Sequence, residues 1–181
     1  MTKIQVTDEI HLSEVQSSDQ AACVEYLNEP EIYDRTLRIP RPYKARDFEE
    51  WFKNVQTSTQ LLGMPAHFAI RPATEKMIGG IGFTGLESGK CHCSEIGYWL
   101  ARPYWGRGIM TAVLRKAIEL AFERLGLVKL TAHVFAGNVA SARVLQKCGF
   151  LQEGFLRKHY LKDGKYLDAM AYGLVREPES K

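Results

Sequence analysis

The chain has 181 residues, 45% of them hydrophobic and 25% charged, with a formal net charge of +3. That length suits a single domain over 1–181 with a core of its own. So small a positive balance, without any dense Lys/Arg block, argues against a nucleic-acid partner. No stretch approaches the ~18–20 consecutive apolar residues that cross a bilayer, and residues 1–15 lack the basic start and apolar run of a secretory leader. A cytoplasmic protein with no membrane partner is expected. The four cysteines, Cys23, Cys91, Cys93 and Cys148, read as reduced thiols in that compartment. Cys91-His92-Cys93 lacks a second ligand pair at zinc-site spacing, so it reads as a loop entering a strand and no metal is expected.

In chain order, residues 9–15 read as a strand. Ser17, Ser18 and Asp19 offer caps for a helix running to about Leu27. Pro30, Pro40 and Pro42 punctuate an irregular or short-helical section. Phe48, Trp51, Phe52 and Val55 recur at helical spacing and predict an amphipathic helix over about 45–59. Residues 67–71 and 76–84 read as strands joined by a hairpin-type turn at 72–75. Gly79, Gly80 and Gly82 either weaken the second strand or admit a close neighbour. Residues 95–101 form the next strand, rich in aromatic and branched residues.

The clearest period follows. Ile109, Val113, Leu114, Ala117, Ile118, Ala121, Phe122 and Leu125 line one face of a helix whose other face is charged, and Gly126 ends it. With the strand at 128–135 this makes a βαβ unit whose two strands run parallel. Asn138 opens a further helix that Gly149 closes. Residues 150–157 and 166–175 read as strands, with the Asp-Gly signal of a tight hairpin at Asp163-Gly164. The fold class is α/β (α+β), built on a mixed sheet.

Between the strand at 95–101 and the amphipathic helix lies Tyr104-Trp105-Gly106-Arg107-Gly108-Ile109-Met110-Thr111. A strand, a glycine-bearing turn and a helix start in that order place unpaired amides at the positive end of a helix dipole, where an anion such as a pyrophosphate binds. A turn that needs glycine for its geometry alone is the competing reading. The run lacks the Gly-Lys-Ser/Thr of a P-loop and the full G-x-G-x-x-G of a dinucleotide fold.

Further motifs agree in order and spacing with one family. Glu-Ile-Gly-Tyr-Trp-Leu (95–100) and the glycine turn are followed by Asn138-x-x-Ser141, by Lys-Cys-Gly-Phe (147–150) with Glu153-Gly154, and by Gly-Lys-Tyr-Leu-Asp (164–168). Over roughly its C-terminal half the chain resembles the GNAT superfamily of acyl-coenzyme-A-dependent N-acetyltransferases. Within it, the chain is most similar to the subgroup that includes the ribosomal-protein N-terminal acetyltransferases. Against the superfamily pattern Gln/Arg-x-x-Gly-x-Gly/Ala, Trp105 and Met110 depart and Gly108 matches.

The resemblance implies a mostly antiparallel, twisted sheet flanked by helices, with a central βαβ unit and a splayed parallel strand pair. Residues 95–168 would carry the acyl-CoA core and the helices of about 17–65 the acceptor side. It implies acetyl-CoA as co-substrate, an amine acceptor as partner, and a monomer or homodimer. The pantetheine arm would pair with backbone groups such as those of Trp99 and Leu100 in the splay. The pyrophosphate would meet Trp105, Gly106, Arg107, Gly108, Ile109, Met110 and Thr111. Tyr98 and Trp99 read equally as core aromatics or as cleft lining. Arg102 and Arg107 read as phosphate ligands or as solvated arginines. Asn138 reads as a helix cap, a pantetheine contact, or both.

Acetyl transfer to an amine requires a deprotonated nucleophile, a polarised thioester carbonyl and a protonated leaving thiolate. Glu95 is the first candidate base and His159 the second, histidine being the side chain whose ordinary titration range suits proton transfer near neutral pH. The alternatives are an exposed carboxylate and a surface histidine. Ser141 would lie near the sulfur and protonate it. Tyr160 and Tyr166 are further hydroxyls, Asp168 orders the last hairpin, and Cys148 packs as a small hydrophobe. Tyr33, Arg35, Arg38, Arg41, Tyr43 and Trp51 give the segment 28–65 an aromatic and basic character that reads equally as a site for an acidic or aromatic acceptor or as packing plus a solvated face. The acceptor is a protein N-terminus or a small-molecule amine. A non-catalytic acyl-CoA-binding module on the same fold is the alternative function.

Overall fold

A computed structural model describes residues 3–86 and 91–177. Its elements are β1 (Ile4–Gln5), β2 (Ile10–Glu14), α1 (Gln20–Leu27), α2 (Pro30–Tyr33), α3 (Ala45–Leu62), β3 (His67–Pro72), β4 (Gly79–Thr84), β5 (Cys93–Leu100), α4 (Ile109–Glu123), β6 (Lys129–Phe135), α5 (Val139–Lys147), β7 (Leu151–Lys162) and β8 (Lys165–Val175). The strands form one sheet in the order β1-β2-β3-β4-β5-β6-β8-β7. Neighbours run antiparallel except β5 and β6, the parallel pair joined through α4. This is the mixed, mostly antiparallel sheet with a central βαβ unit that the sequence leads one to expect.

Strand alternation divides the core in two. Ile96 and Leu100 of β5 and Leu130, Ala132 and Val134 of β6 pack against Val113, Leu114 and Ala117 of α4 and Leu145 of α5. On the opposite face Cys23 and Leu27 of α1 and Phe48 and Val55 of α3 cover Ala69 and Met77, with Trp99 at the margin. A buried pair holds this second layer to the sheet: Arg71 donates to Asp19 at 2.8 and 2.7 Å and to Ser13 at 2.7 Å. Asp19 also accepts from the Gln16 amide at 2.8 Å, so it closes a capping box rather than capping α1 itself.

Several boundaries differ from the sequence reading for identifiable reasons. Helix α3 runs past Thr59 to Leu62, where Gly63 closes it at φ +68°; Thr57, Ser58 and Thr59 satisfy their hydroxyls on the carbonyls four residues back at 2.9–3.0 Å and so do not end it. β4 begins at Gly79 rather than 76. There, close approach is what the glycines serve: a Cβ at Gly79 would lie 2.6 Å from the Trp99 carbonyl. β7 continues beyond 157 to Lys162 through an irregularity between Leu156 and Tyr160. The hairpin turn that follows has Asp163 and Gly164 at φ +49° and +72°, as a type I′ turn requires.

Candidate active site

The parallel pairing of β5 and β6 is short. Cys93, Ser94 and Glu95 oppose Lys129, Leu130 and Thr131, and the register then stops, although β5 continues to Leu100 and β6 to Phe135. A fork therefore opens in the middle of the sheet just past Glu95. Its backbone lining follows from the ladder phase. The Ala101 amide donates to the Ile78 carbonyl, so residues 97 and 99 turn their backbone groups to β4 and residues 98 and 100 turn theirs into the fork. This corrects the expectation for Trp99: its carbonyl faces β4, and its indole lies over Gly80, where a Cβ would come within 2.8 Å of Nε1. Leu100 is corrected in part. Its amide faces the fork, while its carbonyl accepts the Trp105 indole N–H at 2.6 Å. The far bank is β6. The Arg176 amide donates to the Val128 carbonyl and the Ala136 amide to the Asp168 carbonyl, so the alternate residue His133 presents its backbone to the fork.

At one mouth of the fork stands the glycine turn. A 3-10 turn over Arg102–Tyr104 leads to Trp105. Gly106 and Gly108 then adopt φ +74° and +75°, with open space where a Cβ would stand. Left-handed backbone, not crowding, is what calls for glycine at both. Gly108 is the N-cap of α4 and makes no side-chain capping bond. Among the described residues, no acceptor is recorded for the amides of Ile109, Met110 and Thr111, so they form the open positive end of a 15-residue helix. Arg107 lies on the Tyr104 ring, 5.6 Å from its centroid. Arg102 pairs with Glu31 of α2 at 2.9 Å. Arg35 stacks on Trp105 at 4.8 Å. Trp105 thus serves as a pin between the turn, the end of β5 and the α2 segment.

Tyr98 and Ser141 meet across the α4–α5 face. Asn138 caps α5 by accepting from the Ser141 amide at 3.2 Å, and the Ser141 hydroxyl lies 2.9 Å from the Tyr98 hydroxyl. Burial pushes the Tyr98 phenol up to about 12, the Ser141 hydrogen bond opposing the shift, so the phenol keeps its proton at any physiological pH. Cys148 donates to the Thr111 carbonyl at 3.5 Å, and burial raises its thiol. It packs the end of α5 against the start of α4, as a small hydrophobe does.

On the opposite face the structure joins Glu95 and His159 through a residue that the sequence reading passed over. His133 Nδ1 lies 3.5 Å from Glu95 Oε2, and its ring centroid is 5.7 Å from that of His159. Tyr160 packs edge-on to His133, His159 and Phe135. Burial raises the Tyr160 phenol, the Glu95 charge adding to the rise and the Arg38 charge opposing it. The β7 irregularity makes this arrangement possible. Lys158 adopts φ +49°, its amide donates to the Asp168 carboxylate at 2.7 Å, and His159 and Tyr160 are set against β6. Asp168 orders the hairpin, as expected. The hairpin tip is tied to α2 in turn: the Tyr33 hydroxyl donates to the Asp163 carboxylate at 2.8 Å, and Lys162 donates to the carbonyls of Tyr33 and Thr36. Tyr166, 65% exposed, lies under the Lys158 ammonium.

The candidates thus fall into three groups around one fork: the turn at its mouth, Tyr98 with Ser141 on the α4–α5 face, and Glu95, His133, His159 and Tyr160 on the α1–α3 face. The fork thus has an open helix N-terminus at its mouth and ionisable side chains along one face. The chain belongs to the acetyltransferase (GNAT) domain family, whose model matches residues 9–151. It is similar to the uncharacterized N-acetyltransferase YoaA of Bacillus subtilis (strain 168), 38% identical over 109 residues that cover 60% of this chain and 61% of that protein. Its fold matches the ribosomal-protein-S5-alanine acetyltransferase from Vibrio fischeri with a TM-score of 0.85, at 20% identity and over 100% of both chains. It also matches the spermidine N-acetyltransferase from Vibrio cholerae, solved in complex with CoA and spermine, with a TM-score of 0.79 at 20% identity, over 93% of this chain and 96% of that one.

Proposed function

We propose that the protein transfers an acetyl group from acetyl-CoA to a primary amine by direct attack in a ternary complex. The fork carries this reading. It offers unpaired strand edges to an amide-bearing arm, a helix N-terminus to a pyrophosphate, and access from both faces of the sheet. The amides of residues 106–111 hold the pyrophosphate, with Arg107 beside them. Tyr98 and Leu100 on one bank and His133 on the other supply backbone partners for the pantetheine arm, and Asn138 lies at the start of α5 beside it. The thioester then sits above Glu95, where the two strands part. The amine loses one proton to the ionisable cluster and attacks the carbonyl carbon. The C–S bond breaks, the sulfur takes a proton from the Tyr98–Ser141 hydroxyl pair, and the second proton shed by the nitrogen makes up the one that pair gives away. No covalent acyl-enzyme is needed, and Cys23 and Cys148, both held above their ordinary pKa by burial, are poor nucleophiles at neutral pH.

The acceptor enters on the α1–α3 face, where Arg38, Arg41 and Lys158 are exposed. This cationic rim disfavours a polyamine and suits a peptide whose residues next to the free N-terminus are acidic or aromatic. Release of free thiol from acetyl-CoA tests the proposal against a panel of peptides with free or blocked N-termini, amino acids, polyamines and aminoglycosides. Saturable release with a free-amine peptide, lost on blocking, is expected. Glu95→Gln lowers kcat/KM by roughly 10²-fold or more, the usual scale of acid–base assistance, with CoA affinity kept. CoA binding with no amine-dependent thiol release would establish a binding module instead.

A further inference from the structure

We propose that His133 is the general base of this site and that Glu95 is its positioning residue. The inference rests on the acetyl-transfer reading above and gives Glu95 a different task within it. His133 sits on the alternate face of β6, between the buried Leu130–Ala132–Val134 row and the acceptor side. Its Nδ1 is fully enclosed and has no hydrogen-bond partner among the described residues, and the nearest carboxylate oxygen is Glu95 Oε2, 3.5 Å away. The side chains are 26% and 38% exposed, so the pair is half-sheltered and opens at the imidazole edge that carries Nε2.

An imidazole whose Nδ1–H faces a carboxylate is held in the tautomer that leaves Nε2 free to accept a proton. The carboxylate then stabilises the imidazolium that results. Such contacts are often long in the free enzyme and tighten with substrate bound. The remaining ionisable groups facing His133 are His159 and Tyr160 of β7, with Arg38 beyond Tyr160. They complete the wall of the site and give the proton a way out. An acceptor ammonium passes one proton to His133 Nε2, and from the imidazolium it leaves to solvent beside the exposed His159. The nitrogen lone pair forms the C–N bond as the C–S bond breaks. The second nitrogen proton balances the one taken up by the thiolate.

Substitution with chemical rescue separates this role from a structural one. His133→Ala should lose about 10²-fold or more in kcat/KM at neutral pH, keep the KM for acetyl-CoA, and regain activity with added imidazole. His133→Gln, closer in shape, should lose the ascending limb of the wild-type pH–rate profile. The ¹⁵N shifts of His133 should show the Nδ1-protonated tautomer in the wild type and a tautomer mixture in Glu95→Gln. Wild-type rates and an unchanged pH profile in His133→Gln, or an Nε2-protonated His133 in the wild type, would overturn the assignment while leaving acetyl transfer intact. Absence of amine-dependent thiol release from the wild type would overturn both.

Discussion

Gly108 ties backbone geometry to the proposed donor site. At φ +75° it both ends the turn and caps α4. An alanine there carries the cost of left-handed backbone, about 1–2 kcal/mol, although its Cβ meets open space. Gly108→Ala should therefore lower thermal stability by that amount. It should also weaken CoA binding roughly tenfold, the equivalent of about 1.4 kcal/mol, because the amides of the first turn no longer converge. Calorimetric melting and titration with CoA read the two effects separately, and unchanged CoA affinity would remove the turn from the donor site. At this scale much of the site is legible in the chain. Gly106, Gly108, Glu95, Asn138 and Ser141 stand at motif positions. His133 does not. In Thr131-Ala132-His133-Val134-Phe135 it reads as the polar side of an alternating strand, and its meaning depends on where the pairing with β5 stops. Trp99 misleads for the same reason. An aromatic in a motif looks like cleft lining until the ladder phase turns its backbone toward β4.

At the scale of elements, β7 matters most. Three residues, 157–159, stand between partners that pair with Ala169 and Leu167 of β8, so Asp168 faces all three. The excess bends the strand, as bulges beside active sites do, and the Asp168–Lys158 bond fixes the bend. Asp168→Asn keeps an acceptor but loses the charge that strengthens this hydrogen bond. It should cost about 1 kcal/mol of stability and lower kcat several-fold through misplacement of His159 and Tyr160, with KM for acetyl-CoA unaffected. A variant that changes KM for the donor alone would contradict this role. The bulge was not readable in advance: Arg157-Lys158-His159 contains no glycine or proline, and Lys158 takes positive φ only because Asp168 waits across the ladder. The extension of α3 escaped for a related reason. Thr57, Ser58 and Thr59 look like helix terminators until their hydroxyls are seen to bond back into the helix.

At the scale of the whole molecule, the same burial that shapes the site sets the pH range of the fold. Tyr98 and Cys23 are each pushed up to about 12, and Tyr43 is raised as well, all chiefly by burial. A group whose folded pKa is raised contributes stability that is present below its unfolded pKa and lost as pH climbs through the folded value. Stability should therefore decline between about pH 9 and 12, and in Tyr98→Phe the decline above pH 10 should shrink by up to about 2 kcal/mol. His67, wedged over Gly82 and edge-on to Trp51, is shifted the other way by burial. Its contribution is present above the ordinary imidazole value and is lost as pH falls below about 6.5. Urea unfolding across pH 5–11 checks both limbs. A flat profile would mean that these groups are not desolvated in the native state.

The fold class and the βαβ unit were legible because α4 carries an unbroken apolar period and its flanking strands are apolar on alternate positions. The fork was not, since no residue marks where hydrogen bonding ends. The proposed meeting of donor and acceptor in the fork is best tested by a crystal structure of the protein with acetyl-CoA. The expected complex has the pyrophosphate on the amides of residues 106–111, the pantetheine arm between Tyr98 and His133, and the thioester carbonyl over Glu95 on the side facing His133. Acetyl-CoA bound outside the fork, with β5 and β6 zipped past Glu95 and Thr131, would contradict it.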